Sequence, residues 1–160
     1  MPGNVMIAKD AMSASMAECY LHIGEHRYNF AQAIKIEAKF KKNKVKVPIL
    51  GRTGKGNKAI DWEGTGSCTL HYNTSILRKV MLEFAKTGKD MYFDMQIIND
   101  DPNSAAGRQE IMLLDCNVDS GVIAKFDTSS GSYLDEDAEF TFESFSMPQE
   151  FLDLPGFLMS

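Results

Sequence analysis

The sequence predicts a mainly β fold, an antiparallel domain of about six or seven strands with one flanking α-helix packed on it. Several segments alternate apolar and polar residues with a period of two, which is typical of half-buried strands. Only residues 75–87 repeat their apolar positions at helical spacing. The pattern therefore indicates one helix in an otherwise β-rich chain.

The first expected elements are an arm, a hairpin and a long strand. Residues 1–18 are rich in Ala, Met and Ser and predict an N-terminal arm, either a short helix or a flexible segment. Gly24 allows the turn of a hairpin that begins at Tyr20. In residues 30–40 the even positions are mostly apolar and the odd positions mostly charged, so one face of this strand is expected to be polar.

A basic, glycine-rich segment follows that strand. Five glycines lie between Gly51 and Gly66, and lysines are frequent from Lys41 onward. We expect residues 41–64 to form a long loop, and a loop of that length is usually functional or ordered only when bound. Ser67–Tyr72 alternates again and predicts the next strand.

The helix has recognisable ends. Thr74 or Ser75 can cap its first turn, and Gly88 can end it with Lys86 in the last turn. Its expected buried stripe consists of Ile76, Leu77, Val80, Met81, Phe84 and Ala85.

The second half of the chain predicts three more strands. These are Met91–Ile98, then Glu110–Asp119 with an acidic face opposite Leu114, and finally Glu139–Phe145. A bulge or bend at Gly121 is expected, with Val122–Asp127 continuing the second of these strands.

The expected domain covers residues 19–147, and a C-terminal tail covers residues 148–160. The tail carries apolar residues that we expect to be buried against another surface, namely Phe151, Leu152, Leu154, Phe157 and Leu158. A chain of 160 residues is one domain by its length. No secretory signal is expected, and three widely spaced cysteines indicate reduced thiols.

Charge is divided unequally along the chain. Residues 1–80 carry 13 Lys and Arg against 6 Asp and Glu, whereas residues 81–160 carry 4 against 16. The two charge blocks could intermingle once folded. If they remain on opposite surfaces, copies can attract each other head to tail, and such contacts form rings or filaments.

Phosphate and metal motifs are incomplete. Gly51 and Gly56 have P-loop spacing, but Asn57 stands where that motif needs Lys, and Lys58 where it needs Ser or Thr. Cysteine–histidine pairs three residues apart point to opposite faces of a strand, which does not suit zinc. Those pairs are Cys19 with His22 and Cys68 with His71.

Catalytic signatures are weak as well. Paired carboxylates on the acidic strands are conceivable acid–base groups, but no nucleophile or histidine accompanies them. The segment Asp100–Asn103 resembles a calcium loop only weakly. We therefore expect no enzyme, no cofactor and no metal.

Short motifs spread over residues 20–150 resemble the XkdM-like phage tail tube family of contractile phages and phage-derived particles. Their shared order and spacing carry the resemblance. The motifs are Val47–Arg52, Gly64–Ser67, Tyr72–Ser75, Lys86–Gly88, Tyr92–Phe93, Asn99–Pro102, Gly107–Arg108 and Phe140–Glu143.

The resemblance implies two packed antiparallel sheets, a β-sandwich or barrel, with a flanking helix. It implies homohexameric rings stacked head to tail, whose inner sheets join neighbours into a tube. It also implies sheath, baseplate and terminator proteins as partners, and DNA passing through the lumen without specific binding. Residues 41–64 would be the inter-ring loop, with Arg52, Lys55 and Lys58 as its contacts. No catalytic residue and no membrane insertion belong to the family.

Strand parity then selects candidates for the lumen, where acidic side chains would repel DNA phosphates. They are Lys35, Glu37, Lys39, Asp115, Asp119, Asp127, Glu139 and Glu143. A register error of one residue would reverse each assignment. Assembly in the bacterial host cytoplasm, then residence in a virion or phage-tail-like particle, is expected.

Other functions remain open. The tube could serve a phage-tail-like bacteriocin or a type VI-like injection device that carries no DNA. A small β-barrel carrier or nucleic-acid-binding module is a more distant alternative, because such modules normally show a basic or aromatic binding face.

Overall fold

The computed structural model describes residues 6–13, 15–129 and 131–159. This part of the chain contains a short 3₁₀-helix, Ala8–Asp10, eight β-strands and one α-helix. In chain order these are β1 (Ala17–Ile23), β2 (His26–Asn29), β3 (Ala33–Val47), β4 (Gly56–His71), α1 (Ile76–Thr87), β5 (Phe93–Asp100), β6 (Arg108–Ser120), β7 (Asp135–Phe142) and β8 (Ser144–Gln149).

The chain divides into two compact units. Unit 1 comprises Met1–Ala31, Tyr92–Asp115 and Phe145–Ser160, and unit 2 comprises Gln32–Met91 and Cys116–Ser144. β6 begins in unit 1 and ends in unit 2.

Unit 1 has the strand order β2-β1-β5-β6, and β8 also pairs with β6. The hairpin of β1 and β2 turns at Gly24, whose φ of +60° suits a residue without a β-carbon. Leu21 of β1 lies opposite Met95 of β5, and both are buried together with Leu113. Alternating apolar residues of antiparallel strands thus form the core of this unit.

Two buried carboxylates hold the N-terminal segment in unit 1. Asp10 Oδ1 accepts the Ala105 N–H at 2.9 Å, and the Asp10 carbonyl accepts the Ser104 hydroxyl at 2.8 Å. Asp101 Oδ2 accepts the Ser13 N–H at 3.0 Å in return. The predicted arm is therefore fastened to the turn between β5 and β6, and its last residues belong to β1.

Unit 2 has the strand order β3-β4-β7-β6, with antiparallel ladders. Its apolar cross-strand rows are Ile36–Cys68–Ala138, Ala38–Gly66–Phe140 and Phe40–Gly64–Phe142. The two glycines make room for aromatic rings. A β-carbon on Gly66 would lie 2.3 Å from Phe140, and one on Gly64 would lie 2.5 Å from Phe142.

Helix α1 ends as its sequence predicts. Gly88 adopts a left-handed φ of 72° and donates its N–H to the Phe84 carbonyl at 2.8 Å. Leu77 and Val80 are buried, but Phe84 is 54% exposed and Ala85 is exposed too. The predicted buried stripe is therefore wrong in the last turn of the helix, because unit 2 buries only its earlier turns.

An arginine fixes this helix to the sheet of unit 2. Arg78 donates to the buried Glu136 at 2.7 Å and to the Thr74 carbonyl, and it also approaches the Val122 carbonyl at 3.5 Å. Its guanidinium lies 4.4 Å from the centre of the Tyr72 ring. One side chain thus joins α1, the end of β4 and the start of β7.

The predicted mainly β class, with antiparallel strands and one helix, is confirmed. The predicted strand over Val122–Asp127 is wrong, since β6 ends at Ser120. Gly121 lies against Met81 of the helix, and the contact of Arg78 with Val122 draws the chain out of the ladder.

The C-terminal tail also differs from expectation. β8 reaches Gln149, and the Leu152 N–H donates to the Ala106 carbonyl at 2.8 Å. Leu152, Phe157 and Leu158 are exposed in the single chain, whereas Phe151 and Leu154 are half-buried. Local hydrogen bonding holds the first part of the tail without covering its later apolar residues.

Candidate assembly surfaces

One face of the unit 2 sheet is a polar grid of three strands. Row by row, from β3 through β4 to β7, its members are Lys35–Thr69–Asp137, Glu37–Ser67–Glu139 and Lys39–Thr65–Thr141. Residues two apart on a strand share a face, so each strand contributes a column. The β3 column is mixed in charge, the β4 column carries hydroxyls and the β7 column is mostly acidic.

Most side chains of the polar grid are exposed. Lys39 Nζ lies 3.3 Å from Glu37 Oε1, but these side chains are 71% and 45% exposed. An exposed pair of this kind contributes little to stability. The Thr69 hydroxyl donates to Asp137 at 2.7 Å, which orients one carboxylate along the row.

Asp119 of β6 extends the polar grid. It is the extra residue of a bulge between Val118 and Ser120. It lines a depression of about 250 Å³ together with Glu37, Lys39, Thr65, Gly66, Ser67, Glu139, Phe140 and Thr141. With Asp119 included, the face carries four carboxylates against two lysines, so it is acidic overall.

The structure brings together five of the sequence-predicted lumen candidates. They are Lys35, Glu37, Lys39, Asp119 and Glu139. Glu143 is exposed and follows β7 by one residue, two positions after Thr141 of the polar grid. Their shared face is an observation, whereas their lumen role stays a prediction.

Asp115 does not follow the predicted parity. Its φ of 54° is in the left-handed region, which Asp adopts more readily than most residues. Its N–H donates to Asp94 Oδ1 at 3.1 Å. Leu113 and Cys116 are buried on either side, so the expectation that Leu114 shares the apolar face is wrong. The alternation that grouped Asp115 with the other candidates breaks at this residue.

Asp127 lies outside the strands. Its carboxylate accepts the backbone N–H of Ser129 at 2.9 Å and the hydroxyl of Ser129 at 2.6 Å. Such bonds are typical of an Asp that organises a turn. The strand that supported a lumen position for Asp127 is absent from this described segment.

The segment predicted as a long loop is an ordered hairpin. β3 and β4 pair from Ala33–Leu70 to Val47–Gly56, which leaves only residues 48–55 as the connection. The expectation of a loop over residues 41–64 is therefore wrong in its secondary structure. The glycines were the reason for expecting a loop. In the structure Gly64 and Gly66 are strand residues, and each makes room for an aromatic ring that crosses the strand.

The end of the β3–β4 hairpin that lies beyond β7, which we call the outer hairpin, is strongly basic and exposed. β4 pairs with β7 only from Gly64 onward, and Gly64 lies opposite Phe40, so residues 41–63 extend beyond the third strand. Every lysine and arginine of this stretch is exposed. Arg52 and Lys55 lie in the connection, whereas Lys58 is on β4 opposite Val45. The three predicted contact residues are thus near one another along the hairpin tip.

Sequence reasoning missed the middle of the polar grid. Thr65 lies between the predicted loop over residues 41–64 and the predicted strand Ser67–Tyr72, and Asp137 precedes the predicted strand Glu139–Phe145, whereas the observed strands contain both residues. The period-two pattern does continue through Thr65, Ser67 and Thr69, and back from Glu139 to Asp137. Extending both strands by that parity would have found these residues.

Metal ligands do not converge in the part of the chain that the structure describes, since no group of three His, Cys, Asp or Glu is suitably placed there. His22 instead lies 3.3 Å from the Gln96 side chain, and Cys68 is buried in unit 2. Among the same residues, no helix is long and apolar enough to cross a membrane.

Comparison with known proteins identifies the family. A family model described as phage tail tube protein matches residues 4–149. Phage-like element PBSX protein XkdM of Bacillus subtilis (strain 168) is 39% identical over 117 residues, covering 73% of this chain and 79% of that protein. The chain belongs to the phage tail tube protein family, and the resemblance inferred from its motifs is confirmed.

Solved structures share the fold at low identity. A chain of the anti-feeding prophage baseplate matches with a TM-score of 0.62 and 10% identity, covering 82% of this chain and 91% of that one. A chain of the PVC sheath–tube complex, an extracellular contractile injection system in its extended state, matches with a TM-score of 0.61 and 9% identity. That match covers 82% of this chain and 88% of that one.

Proposed function

We propose that this chain is a non-enzymatic structural subunit of a contractile tail tube. Six copies form a ring, and rings stack head to tail around a channel. Sheath, baseplate and terminator proteins are its partners in the particle. The subunit assembles in the bacterial host cytoplasm and then remains in the virion or phage-tail-like particle.

The polar grid is the observation that carries this proposal. A sheet with one apolar face and one long polar face suits the wall of a water-filled channel. Its carboxylates outnumber its lysines, so the channel repels phosphate and DNA passes without lasting contacts. Lys35, Glu37, Lys39, Asp119 and Glu139 face the lumen in this arrangement, and Glu143 lies at its margin.

The sheet edges support assembly between copies. β3 is the terminal strand of unit 2 and spans 15 residues. A long edge strand exposes backbone donors and acceptors, which promote pairing with another chain. Pairing between inner sheets of neighbouring copies satisfies these groups and closes the sheet into a barrel.

The hairpin tip supplies the contact between rings. Arg52, Lys55 and Lys58 are exposed on a segment that extends beyond the third strand of its sheet. The second half of the chain is strongly acidic, so a basic tip has a complementary surface on another copy.

Electron microscopy of the purified chain tests the proposal. Negative-stain images over increasing protein concentration, with and without partner tail proteins, should show rings or tubes with sixfold symmetry. A population of monomers at every concentration, with partners present, would contradict a tube subunit.

A charge-reversed hairpin tests the stacking contact. The double variant Lys55→Glu/Lys58→Glu should form fewer and shorter tubes and keep the unfolding midpoint of the parent. The matched control is Lys86→Glu/Lys89→Glu, which makes the same charge change at exposed residues around the end of α1. Equal tube lengths for both double variants would remove the proposed role of the hairpin tip.

A second candidate is the tube of a bacteriocin-like particle or injection device without DNA cargo. The structural similarity to chains of an anti-feeding prophage and of an extracellular contractile injection system favours it. Particles isolated with their contents distinguish the two, because DNA protected from nuclease is present only in the first.

A further inference from the structure

Three lysines of the outer hairpin form a regular row on one face of β3. Lys42, Lys44 and Lys46 are two residues apart, and residues two apart on a strand share a face. Their cross-strand partners on β4 carry no charge; they are Trp62, Ala59 and Asn57. The ion pairs found among the described residues include none of the three lysines. We call Lys42, Lys44 and Lys46 the lysine row.

The opposite face of the outer hairpin is mixed in charge. There Lys41 lies directly across from Glu63, and Asp61 accepts a hydrogen bond from Asn43 Nδ2 at 2.8 Å. Asp61 and Glu63 are the only carboxylates of residues 41–63, all of which the structure describes. The lysine row therefore has no carboxylate on its own face of the outer hairpin.

Aromatic rings lie at the inner end of the lysine row. Trp62 is directly opposite Lys42, and Phe40 precedes Lys42 by two residues on the same face. The rings of Phe40 and Trp62 stack with their centres 4.9 Å apart. Phe40 is 48% exposed and Trp62 is 37% exposed. Solvent thus reaches both rings beside a row of cations.

We propose that the lysine row and the rings of Phe40 and Trp62 bind single-stranded nucleic acid in the unassembled subunit. This inference goes beyond the proposed function and does not depend on tube formation. Neighbouring lysines of the row are about 6.8 Å apart along β3, which is twice the rise of about 3.4 Å per nucleotide of a DNA strand. Exposed rings beside a basic track are the usual platform for unpaired bases.

A nucleic acid strand fits this surface better than an acidic protein does. A phosphate backbone carries its charges at regular intervals, as the lysine row does, and no carboxylate on that face of the outer hairpin repels it. The rings supply the second feature, because every base has a flat face that can stack on an exposed ring. The surface is on the opposite face of β3 from the polar grid, so it is separate from the proposed channel wall.

Fluorescence anisotropy of a labelled deoxythymidine strand of about 12 nucleotides tests the binding, since sites of this class cover about 4–16 nucleotides. Dilute, unassembled protein is titrated from about 50 mM salt upward. The logarithm of the affinity should fall against the logarithm of the salt concentration with a slope of about −2, because each of three phosphate contacts contributes about −0.7. Absence of binding at low salt, or a slope near zero, would overturn the inference and leave the tube function intact.

Matched charge reversals locate the binding surface. Lys42→Glu/Lys44→Glu changes only exposed side chains and should weaken binding of the strand about tenfold or more. Lys86→Glu/Lys89→Glu makes the same change in net charge at exposed residues around the end of α1, and it should weaken binding less than about twofold. Equal losses in the two variants would show attraction to the net charge of the protein and would overturn a site at the lysine row.

The emission of Trp62 separates base stacking from attraction between charges alone. Trp62 is the only tryptophan of the chain, so its fluorescence reports directly on the rings. A saturating deoxythymidine strand should lower this emission by about half, because a base stacks against the rings, whereas polyglutamate should leave it unchanged. Unchanged emission with the bound strand would overturn the inference. Polyglutamate that binds as tightly as the strand, with the same loss in Lys42→Glu/Lys44→Glu, would assign the surface to an acidic protein instead.

Discussion

At the scale of single residues, Gly66 shows how one missing side chain shapes the sheet of unit 2. The Phe140 ring crosses β4 where a β-carbon of Gly66 would lie, at 2.3 Å from the ring. Phe140 is itself buried and cannot move into solvent without losing its packing. The glycine therefore serves close packing rather than a turn.

Gly66→Ala should lower the free energy of unfolding by about 1–3 kcal/mol, because the added methyl group overpacks the core. Gly54→Ala is the control, since no atom lies within 4 Å of a β-carbon there. Urea denaturation of dilute, unassembled protein measures the free energy of unfolding of both variants. A loss for Gly54→Ala as large as for Gly66→Ala would show that glycine flexibility, not the ring contact, sets the effect.

The buried Cys68 thiol makes the stability of the same core depend on pH. Burial, reinforced by the nearby Glu136 and Asp137 carboxylates, raises the pKa of the Cys68 thiol from 9.0 to about 11. Between these two values the unfolded chain loses a proton that the folded chain keeps. Stability contributed by this group is therefore present below pH 9 and is lost as the pH rises towards 11.

The free energy of unfolding should decline by about 2 kcal/mol more in the parent than in Cys68→Ala over this alkaline range. Denaturant titrations at pH 8 and at pH 10.5 measure the difference between the two proteins. All other side chains are the same in both proteins, so their contributions to the pH dependence cancel. Parallel pH profiles would contradict a buried, protonated thiol.

At the scale of elements, Arg78 decides where the helix lies on the sheet of unit 2. Its partner Glu136 is 2% exposed, whereas the Lys125–Asp135 pair has side chains 37% and 46% exposed. A buried carboxylate that loses its arginine has no compensating charge in a poorly solvated site. The two ion pairs should therefore respond very differently to truncation.

Arg78→Met should destabilise the fold by about 3–5 kcal/mol, and the double variant Arg78→Met/Glu136→Gln should recover part of that loss. Lys125→Met should change stability by less than about 1 kcal/mol, as for exposed pairs. Thermal unfolding followed by circular dichroism ranks the three proteins. If Lys125→Met lowered stability as much as Arg78→Met does, burial of the ion pair would not explain the effect of removing it.

The elements also show what the sequence could and could not reveal. Period-two alternation located the strand containing Lys35 and Glu37, and helical spacing located α1, because side-chain periodicity is local. The hairpin over residues 41–64 and the left-handed backbone at Asp115 depend on partners distant in sequence. Glycines facing rings and an Asp with positive φ look like turn residues when read alone.

The residues of the candidate site were also predictable where local periodicity decides their position and not where distant contacts do. Parity placed Lys35, Glu37, Lys39 and Glu139 on one face because their strands pair regularly at these positions. Asp119 joins that face as the extra residue of a bulge. Parity failed for Asp127, because the chain leaves the ladder at Gly121 where Met81 of the helix packs. Tertiary contacts of that kind carry no signal within a short window of sequence.

At the scale of the whole molecule, the unequal division of charge favours association between molecules. The basic residues of the outer hairpin are exposed, and the ion pairs found among the described residues leave its lysines beyond Lys39 without a carboxylate partner. Their charge is therefore available to a second molecule. Attraction between complementary surfaces accelerates association and is screened by salt.

Assembly should slow about tenfold or more when the salt concentration rises from about 50 mM to about 500 mM, because screening removes electrostatic steering. Light scattering after a concentration jump measures the initial rate. The variant Lys55→Glu/Lys58→Glu should assemble slowly at low salt and lose most of this salt dependence, since it lacks the basic tip. The control Lys86→Glu/Lys89→Glu should keep the salt dependence of the parent. Association that accelerates with salt in the parent would instead indicate contacts driven mainly by apolar surface, and the charge division would then have no part in bringing copies together.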